Sequence, residues 1–456
     1  MRPSPGQAST ASAGPSAPAP LSRSARRDAL LGTWLGKLVR LATLWRRNGG
    51  HALPGKVVER LVPGYLEVMT RQLPAGVAVV TGTNGKTTTT KMVVELLRAS
   101  GMTVVTNPTG SNLTRGIVSS FVRQADWRGR ISRDLAVFEV DEAYASLFVQ
   151  QVRPRWVLAL NVSRDQLDRF GEVDTVAEHV GAAMRAASEG VVTNADDPRL
   201  LRTAQTLAGA GTSVDYFGVA PELARLFPRD DELVQVGAAR SVASVHRPEP
   251  SVELTAFEEG GGSYRVAGRT YRTPLRVNGR HNLQNAAAAL ALVRHLAPAV
   301  TDAALVESLA RVEPAFGRGQ TFVLDDGSEL QLVLVKNPAG FRQALSSYVE
   351  DEPATMIAIN DGYPDGRDVS WLWDVDVSAL GNRTIDLTSG TRAADMALRL
   401  GYSDIGVRAV EPKLDQALRE LEGRPGRKLV LANYTAMVHL HATLSRHSGS
   451  AEREAA

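Results

Sequence analysis

One stretch constrains the fold of this chain more than any other: an apolar run that turns through a glycine loop into a helix-compatible segment. The run is Val77–Val80, and the loop reads Gly82-Thr-Asn-Gly-Lys-Thr87. In the regions that follow, short apolar runs alternate with segments of helical pattern. Such alternation is typical of parallel sheets covered by helices. The chain is therefore predicted to have an α/β fold, with this loop at the carboxyl edge of a sheet.

The same loop has the residues of a nucleotide phosphate site. Glycines let the backbone approach a phosphate, and the loop N–H groups with the following helix N-terminus supply positive potential. Lys86 adds a full charge, and the hydroxyl of Thr87 suits Mg²⁺. Val80 stands where the common motif has its first glycine, so this is a shorter form. The predicted nucleotide-binding residues are Gly82, Thr83, Asn84, Gly85, Lys86, Thr87 and Thr88; the alternative is an ordinary surface turn.

A chain of 456 residues is too long for one core, and its pattern divides into two α/β series. Residues 71–316 form the predicted central domain, in which short alternating runs over about 213–277 predict a small antiparallel insert or edge hairpins. Residues 317–447 form a predicted Rossmann-like domain without a Gly-x-Gly-x-x-Gly turn, so it is assigned no dinucleotide. The predicted strands of this second series are Leu330–Val335, Thr355–Ile359, Thr384–Thr388, Ile405–Val410 and Lys428–Ala432.

The two ends of the chain differ from its body. Residues 1–24 are mostly small or Pro and are predicted to be disordered, and residues 448–456 are predicted to be a flexible tail. Residues 25–70 begin with Leu and Trp at helical spacing among Arg and Lys, which predicts a basic amphipathic helix. Its apolar face either docks on the domain behind it or contacts an anionic membrane surface.

Composition excludes several kinds of chemistry. The chain has no cysteine, so it has no disulfide, no thiolate zinc site and no cysteine nucleophile. With 43% hydrophobic and 22% charged residues it has a soluble globular composition. No apolar run approaches the roughly 18 residues that a membrane span requires.

Carboxylates follow a second predicted strand, Leu135–Val140. Glu139, Asp141 and Glu142 would lie beside the phosphate loop if that strand neighbours the first. Oxygen ligands of this kind suit Mg²⁺. Glu139 is the preferred metal ligand and Glu142 the second choice, while the alternative is a set of solvated acids at a strand end.

Amides occur at two further places. Asn161, Asp165 and Gln166 follow another apolar strand and are candidates for positioning metal-bound water or phosphate. Asn282 and Asn285 open an alanine-rich helix and offer amide edges that suit a purine, although a helix cap is the plain alternative.

Two stretches near and beyond the domain boundary carry further candidates. Arg318 lies at the presumed hinge, where it could reach a transferring phosphate when the domains close. The loop 360–374 combines Asp365 and Asp368 with Trp371 and Trp373, which indicates a site or an interface. The alternative is an ordered surface loop with its tryptophans in the core.

With these residues the chain resembles the Mur ligase superfamily and, within it, the MurT family of lipid II isoglutaminyl synthase subunits. The resemblance covers about 28–445. The superfamily motifs are Gly82–Thr87, Asn194–Pro198 and Gly279–Asn282. The more specific motifs are Arg164–Glu172, Lys336–Gly340, Asp365–Trp371 and Asn433–Thr435. The implied fold is a Mur ligase-like central P-loop domain followed by a Rossmann-like domain.

The resemblance implies a two-step amidation in the cytoplasm, at the inner face of the membrane. ATP and Mg²⁺ would convert the α-carboxyl of D-glutamate in the lipid II stem peptide to an acyl phosphate, which ammonia would turn into D-isoglutamine. Lys86 and Arg318 would act on the phosphates, and Thr87 and Glu139 on the metal. A GatD-like glutamine amidotransferase would supply ammonia, with Asp368 completing its Cys–His pair. The rival is a folylpolyglutamate-synthase-like ligase that adds an amino acid.

The chain departs from the superfamily at two places. Many family members have a four-cysteine zinc ribbon where residues 220–262 have no cysteine, so no zinc is expected. Many Mur ligases have Asp-His where this chain has Asp165-Gln166, so a histidine metal ligand is excluded there.

Overall fold

Two β-sheets with helices on both faces make up the described part of the protein. The computed structural model describes residues 21–45, 52–107, 112–163, 173–227, 246–258, 260–277, 279–314, 318–348, 353–366 and 368–454. Within these ranges one sheet has nine strands and the other has six. The predicted α/β class, with a parallel-rich central sheet and a second α/β domain, is confirmed.

The first sheet is parallel over most of its width. Its strands are β1 (Val77–Thr81), β2 (Val104–Thr106), β3 (Leu135–Glu139), β4 (Trp156–Ala159), β5 (Gly190–Asn194), β6 (Ser213–Val219), β7 (Val252–Glu258), β8 (Gly261–Val266) and β9 (Arg269–Pro274). Their order is β2-β3-β1-β4-β5-β6-β7-β8-β9. All pairs from β2 to β7 are parallel, and β7, β8 and β9 pair antiparallel. The central strands β1, β3 and β4 are buried throughout, as continuous apolar runs predict.

The region 213–277 combines one strand of the main sheet with antiparallel strands at its edge. Its first strand, β6, is a parallel member of the main sheet, so only β7 to β9 form the antiparallel part, and they extend the main sheet at its edge. The residues Ser213–Tyr216 at the start of β6 are not buried, whereas Phe217–Val219 are. The alternative of edge hairpins describes β7 to β9, whereas β6 is a half-solvated strand, which has the same alternating pattern as a hairpin strand.

Helices cover both faces of the first sheet. They are α1 (Arg23–Trp45), α2 (Leu53–Leu61), α3 (Tyr65–Thr70), α4 (Lys86–Ala99), α5 (Thr114–Gln124), α6 (Glu142–Gln151), α7 (Val173–Ala186), α8 (Pro198–Gly209), α9 (Arg280–Leu296) and α10 (Asp302–Leu309). Helices α4 and α9 pack on one face around residues such as Met92 and Leu290. Helices α3, α5, α6 and α7 contribute to the core on the other face.

The N-terminal helix α1 docks on this second face. Ala29 and Thr33 are buried, and the Thr33 hydroxyl forms a 2.9 Å hydrogen bond with the Tyr65 hydroxyl of α3. The helix begins at Arg23, two residues inside the stretch predicted to be disordered, while residues 1–20 lie outside the described part. None of the described helices has the length and apolarity required to cross a bilayer.

The second sheet begins at Arg318. Its strands are β10 (Arg318–Val323), β11 (Glu329–Leu334), β12 (Ala354–Ala358), β13 (Ile385–Ser389), β14 (Val407–Glu411) and β15 (Lys428–Ala432), in the order β10-β11-β15-β12-β13-β14. The first pair is antiparallel and the others are parallel. The helices are α11 (Pro338–Tyr348), α12 (Ala393–Gly401), α13 (Leu414–Glu422) and α14 (Tyr434–Glu454).

Helix α14 extends through most of the segment predicted to be a flexible tail, 448–456. Ala451, Glu452 and Arg453 in that segment are residues of high helix propensity, and they continue a helix already formed upstream. The backbone of this segment is therefore helical as far as Glu454, and its flexibility stays a prediction.

Candidate active site at the meeting of the two domains

The phosphate loop connects β1 to α4 at the carboxyl edge of the first sheet. Gly82 and Gly85 have φ values of 130° and 83°, in the region that favours glycine. A Cβ atom on Gly85 would lie 2.4 Å from Oδ1 of Asn285 on α9. The loop is therefore pressed between its own strand and α9, and a side chain at Gly85 cannot be accommodated without displacement.

The variant Gly85→Ala should destabilise the loop and weaken nucleotide binding. Positive φ alone costs roughly 1 kcal/mol, and the clash with Asn285 adds roughly 1–3 kcal/mol. Gly101→Ala is the matched control, because Gly101 has φ 84° but no atom within 4 Å of its Cβ position. Denaturant unfolding and ATP-binding isotherms of both variants measure the difference, and equal effects would contradict the role of Asn285.

Lys86 is buried at the start of α4. Its Nζ donates to the carbonyl oxygens of Gly82 and Thr83, the latter at 2.9 Å, and to Oε2 of Glu142 at 2.5 Å. The side chains of Lys86 and Glu142 are 6% and 1% exposed. A buried charge pair of this kind is weak evidence for stability, but it fixes the position of the ammonium group. The Lys86 ammonium group is thus held against the phosphate loop, where it would place a positive charge beside a bound phosphate.

The three carboxylates after β3 have three different environments. Glu139 Oε1 accepts from Thr87 Oγ1 at 3.0 Å. Asp141 caps α6 by accepting from Ala143 N at 3.2 Å, and Glu142 pairs with Lys86. Of the three, Glu139 is therefore the carboxylate that lies against the candidate metal hydroxyl.

Thr87 and Glu139 offer a suitable donor set for Mg²⁺. Both donors are oxygens, and Asn107 fixes the Glu139 backbone by donating to its carbonyl and accepting from its N–H, both at 2.9 Å. In the described part of the chain no group of three His, Cys, Asp or Glu side chains is placed to hold a metal. Mg²⁺ commonly uses one or two protein oxygens with phosphate and water, so this sparse set fits it.

Asn161, at the carboxyl end of β4, supports the phosphate loop. Its Oδ1 accepts from Asn84 N at 2.8 Å, and its Nδ2 donates to Asn84 O at 3.0 Å. Thr83 N donates to Asn161 O at 3.0 Å. The other candidates of that segment, Asp165 and Gln166, lie outside the described residues with the rest of 164–172.

One amide group in the phosphate loop can donate a further hydrogen bond to a ligand. The Nδ2 atom of Asn84 is buried and has no hydrogen-bond partner among the described residues. Unsatisfied buried donors are rare in native structures and suggest a missing partner. A phosphate oxygen is an acceptor of the required kind, so the loop fits the nucleotide that its sequence predicts.

The amides of α9 lie on the opposite side of the loop. Asn282 and Asn285 are both buried, and Asn285 Nδ2 donates to Asn282 Oδ1 at 3.0 Å. Thr88, the last residue of the predicted loop set, is buried on α4. Arg318 begins β10 at the start of the second sheet, and its side chain lies outside the described part.

A residue of the second domain contacts the phosphate loop directly. Asn337, between β11 and α11, is fully buried and donates through Nδ2 to Asn84 Oδ1 at 3.1 Å. Its own Oδ1 accepts from Gly340 N at 2.7 Å, which orients the amide. The loop is therefore bonded on one side to Asn161 of its own sheet and on the other to the C-terminal domain.

We expect Asn84→Ala and Asn337→Ala to show strong coupling. Each variant removes the same interdomain hydrogen bond, worth about 1 kcal/mol, so each should lower kcat/KM for ATP by about fivefold or more. The double variant should lose little beyond the worse single variant. Steady-state kinetics of the three variants gives the coupling energy, and additive losses would contradict a functional bond.

A second group of amides occupies the carboxyl edge of the second sheet. Asn433 Oδ1 accepts from Asn360 N at 3.0 Å, and Asn433 Nδ2 donates to Asn360 O at 2.6 Å. Thr435 donates to Asp365 through its N–H at 2.8 Å and through its hydroxyl. Burial raises the pKa of Asp365. These bonds secure both ends of the loop that leads to Asp368.

Asp368 is exposed on that loop. Its Oδ1 accepts from Ser370 N at 2.8 Å, and this bond holds the pKa of the carboxyl below its ordinary value. Of the two nearby tryptophans only Trp373 is exposed, and Trp371 is buried in the core. Trp371 thus fits the alternative of a tryptophan in the core and Trp373 does not, because a 3₁₀ helix at Ser370–Asp374 turns the two side chains in different directions.

Comparison with known families divides the chain at the same place as the two sheets. The model for the Mur ligase middle domain matches residues 80–293, and the model for the MurT ligase C-terminal domain matches residues 334–437. The chain carries the domain pair of a MurT-type Mur ligase. It is accordingly an enzyme of the ligase class, with its phosphate loop in the Mur-type domain and Asn337 in the MurT-type domain.

Named relatives agree with this assignment, and a solved structure agrees with the fold. The chain is 28% identical over 436 residues to the lipid II isoglutaminyl synthase (glutamine-hydrolyzing) subunit MurT of Staphylococcus aureus strain COL, covering 90% of the chain and 97% of the relative. It is 29% identical to the subunit of the same name from Streptococcus pneumoniae, covering 88% and 94%. The MurF structure from Acinetobacter baumannii matches in fold with a TM-score of 0.64 at 20% identity, covering 84% and 80%.

Several residues of this MurT-type site were not assigned a role from the sequence. Asn107, Asn337 and Asn433 all follow a strand at its carboxyl end. An isolated asparagine there is usually a turn residue, so it is a weak signal by itself. Asn337 and Asn433 lie in the motifs Lys336–Gly340 and Asn433–Thr435, and a further signal was the recurrence of asparagine after several strands, a position where α/β proteins gather their ligand-binding groups.

Proposed function

We propose that this chain is the ATP-dependent subunit of a lipid II isoglutaminyl synthase. It amidates the α-carboxyl of D-glutamate in the lipid II stem peptide, and a GatD-like glutamine amidotransferase provides the ammonia. The observation that carries the proposal is near full-length similarity to MurT subunits, together with a MurT-type domain whose Asn337 contacts the phosphate loop. The corresponding process is peptidoglycan precursor synthesis, and the corresponding location is the inner face of the membrane.

Different residues of the site have different roles in the proposed phosphoryl transfer. ATP with Mg²⁺ supplies the phosphoryl group for an acyl phosphate, from which ammonia displaces phosphate with loss of a proton. Lys86 and the loop N–H groups would neutralise phosphate charge, and Thr87 and Glu139, which share a 3.0 Å hydrogen bond, would hold the metal. We assign Arg318, at the start of the second domain, to the transferring phosphoryl group. Phosphoryl transfer requires such positioning and charge compensation more than a protein nucleophile.

Composition supports a separate source of ammonia. Glutaminases of the thiol class use a cysteine thiolate, and this chain has no cysteine. The exposed carboxylate of Asp368 has the lowered pKa that keeps it ionised. An ionised, exposed carboxylate can accept a hydrogen bond from a partner's histidine, so we assign Asp368 to the partner's catalytic group.

The decisive experiment is to purify the chain with its candidate amidotransferase and to assay lipid II with ATP and either glutamine or ammonium. Formation of amidated lipid II, detected by mass spectrometry with both nitrogen sources, is the expected result. The chain without its partner should retain only the ammonium-driven reaction. ATP hydrolysis stimulated by an amino acid and not by ammonium would instead favour the folylpolyglutamate-synthase-like alternative.

A further inference from the structure

A row of large apolar side chains lies exposed on the N-terminal helix α1. These residues, which we call the apolar stripe, are Leu30, Leu31, Trp34, Leu38 and Leu41, each between 40% and 56% exposed. Their spacing places them within a sector about 100° wide on one side of a helix. Single exposed leucines need no explanation, but a continuous row of this kind indicates a surface with a partner.

The apolar stripe is held in place by the opposite side of the same helix. Thr33 is fully buried and bonded to Tyr65, so α1 is fixed to the central domain. Trp34 Nε1 also donates to Trp127 O at 3.0 Å, and the two rings pack edge to face at 5.0 Å. Trp127 is 48% exposed and widens the apolar surface. The stripe therefore faces outward on a rigid support.

Cations flank the apolar stripe. Helix α1 has five basic residues and one acid, Asp28. The basic residues are Arg23, Arg26, Arg27, Lys37 and Arg40, none of which forms an ion pair within the described ranges. Burial and the nearby Arg40 lower the pKa of Lys37, although Asp126 opposes this, and burial and Arg40 also lower the pKa of Arg123 on α5. Arg40 is thus close enough to Lys37 and Arg123 for their positive charges to repel.

We propose that α1 is a membrane-docking surface whose apolar stripe enters the headgroup region of an anionic bilayer. Apolar residues bordered by Arg and Lys are the pattern of helices that lie in the plane of a membrane. The flanking cations are complementary to anionic lipid and are attracted to such a surface. Docking of a second copy of the chain on this surface would instead bring the cations of two α1 helices together, and these would repel. The purpose of docking rests on the proposed function, because a lipid-linked substrate lies in that same plane.

Vesicle flotation with the full chain tests the docking directly. The protein should float with phosphatidylcholine vesicles that contain phosphatidylglycerol, and not with phosphatidylcholine alone. The double variant Leu38→Asp, Leu41→Asp should reduce the vesicle-bound fraction by about tenfold or more, since it puts charges in place of the apolar area that the bilayer would bury. Leu398→Asp on α12 is the matched control, because Leu398 and Leu41 are both 56% exposed. It should leave flotation unchanged.

Other outcomes would overturn the proposal. Equal flotation of the stripe variant and the control, or no flotation with anionic vesicles, contradicts membrane docking. If the protein self-associates in ultracentrifugation, and the stripe variant abolishes this self-association while the control variant does not, the apolar stripe binds a second copy of the chain and not a membrane. Circular dichroism verifies that the variants are folded. The vesicles contain no lipid II, and amidation of detergent-solubilised lipid II should survive in the stripe variant, so docking and the proposed function fail separately.

Discussion

Replacement of Lys86 by alanine should reduce ATP-dependent amidation by roughly 10³-fold or more. The residue provides the one full positive charge that the loop sequence places beside a phosphate, and such groups contribute most where charge develops in a buried site. Amidated product measured by mass spectrometry, with glutamine and with ammonium, should fall equally. Retained ammonium-driven activity would show that the phosphate site has been assigned wrongly.

The same substitution should also destabilise the fold, which requires a control. Removal of Lys86 leaves Glu142 buried with its cationic partner missing, and loss of one member of a buried pair costs about 3–5 kcal/mol. Lys86→Ala combined with Glu142→Gln removes that charge and should recover much of the lost stability. It should not recover activity. Calorimetric unfolding beside the amidation assay separates the two effects, and recovery of activity in the double variant would contradict a role for Lys86 in phosphate binding.

Asp368→Asn should impair glutamine-driven amidation by roughly 10²–10⁴-fold, and ammonium-driven amidation far less. The amide keeps the size of the side chain and can still accept from Ser370 N, but it no longer offers a carboxylate to a partner's histidine. Both rates should be measured on the complex with its amidotransferase. Equal loss with both nitrogen sources would contradict the proposed role.

The chain contains a closely matched control site for the Asp368→Asn substitution. Asp376-Val-Ser378 repeats the tripeptide Asp368-Val-Ser370, and Asp376 Oδ1 accepts from Ser378 N at 2.9 Å, against 2.8 Å in the first case. Asp376→Asn therefore makes the same chemical change in the same kind of turn. It should leave both rates close to those of the unaltered complex.

Sequence reasoning was most successful where the signal is local. A glycine loop between an apolar strand and a helix can be recognised from a dozen residues, and the buried parallel strands β1, β3 and β4 have continuous apolar runs. The predicted α/β architecture followed from such segments. Assignments that depended on neighbouring strands, as for β6, were less secure, because a half-solvated strand inside a sheet has the alternating pattern of a hairpin.

The parts of the site that sequence reasoning missed depend on contacts between distant residues. Asn84 and Asn337 are 253 positions apart and join different domains. No periodicity or spacing connects them, so only the folded chain shows that they meet. Glu139, Asp141 and Glu142 were distinguishable in part from sequence, but their separate environments come from Thr87, from the start of α6 and from Lys86.

The bond between Asn337 and the phosphate loop has a consequence for exchanging domains among Mur ligases. A chimaera that joins this central domain to a foreign C-terminal domain would lose the amide that meets Asn84, unless the donor domain has an asparagine at the equivalent turn. The two halves are therefore not independent modules with a shared linker. Engineering a ligase with a new partner subunit would have to treat the loop and the β11–α11 turn as one inherited unit.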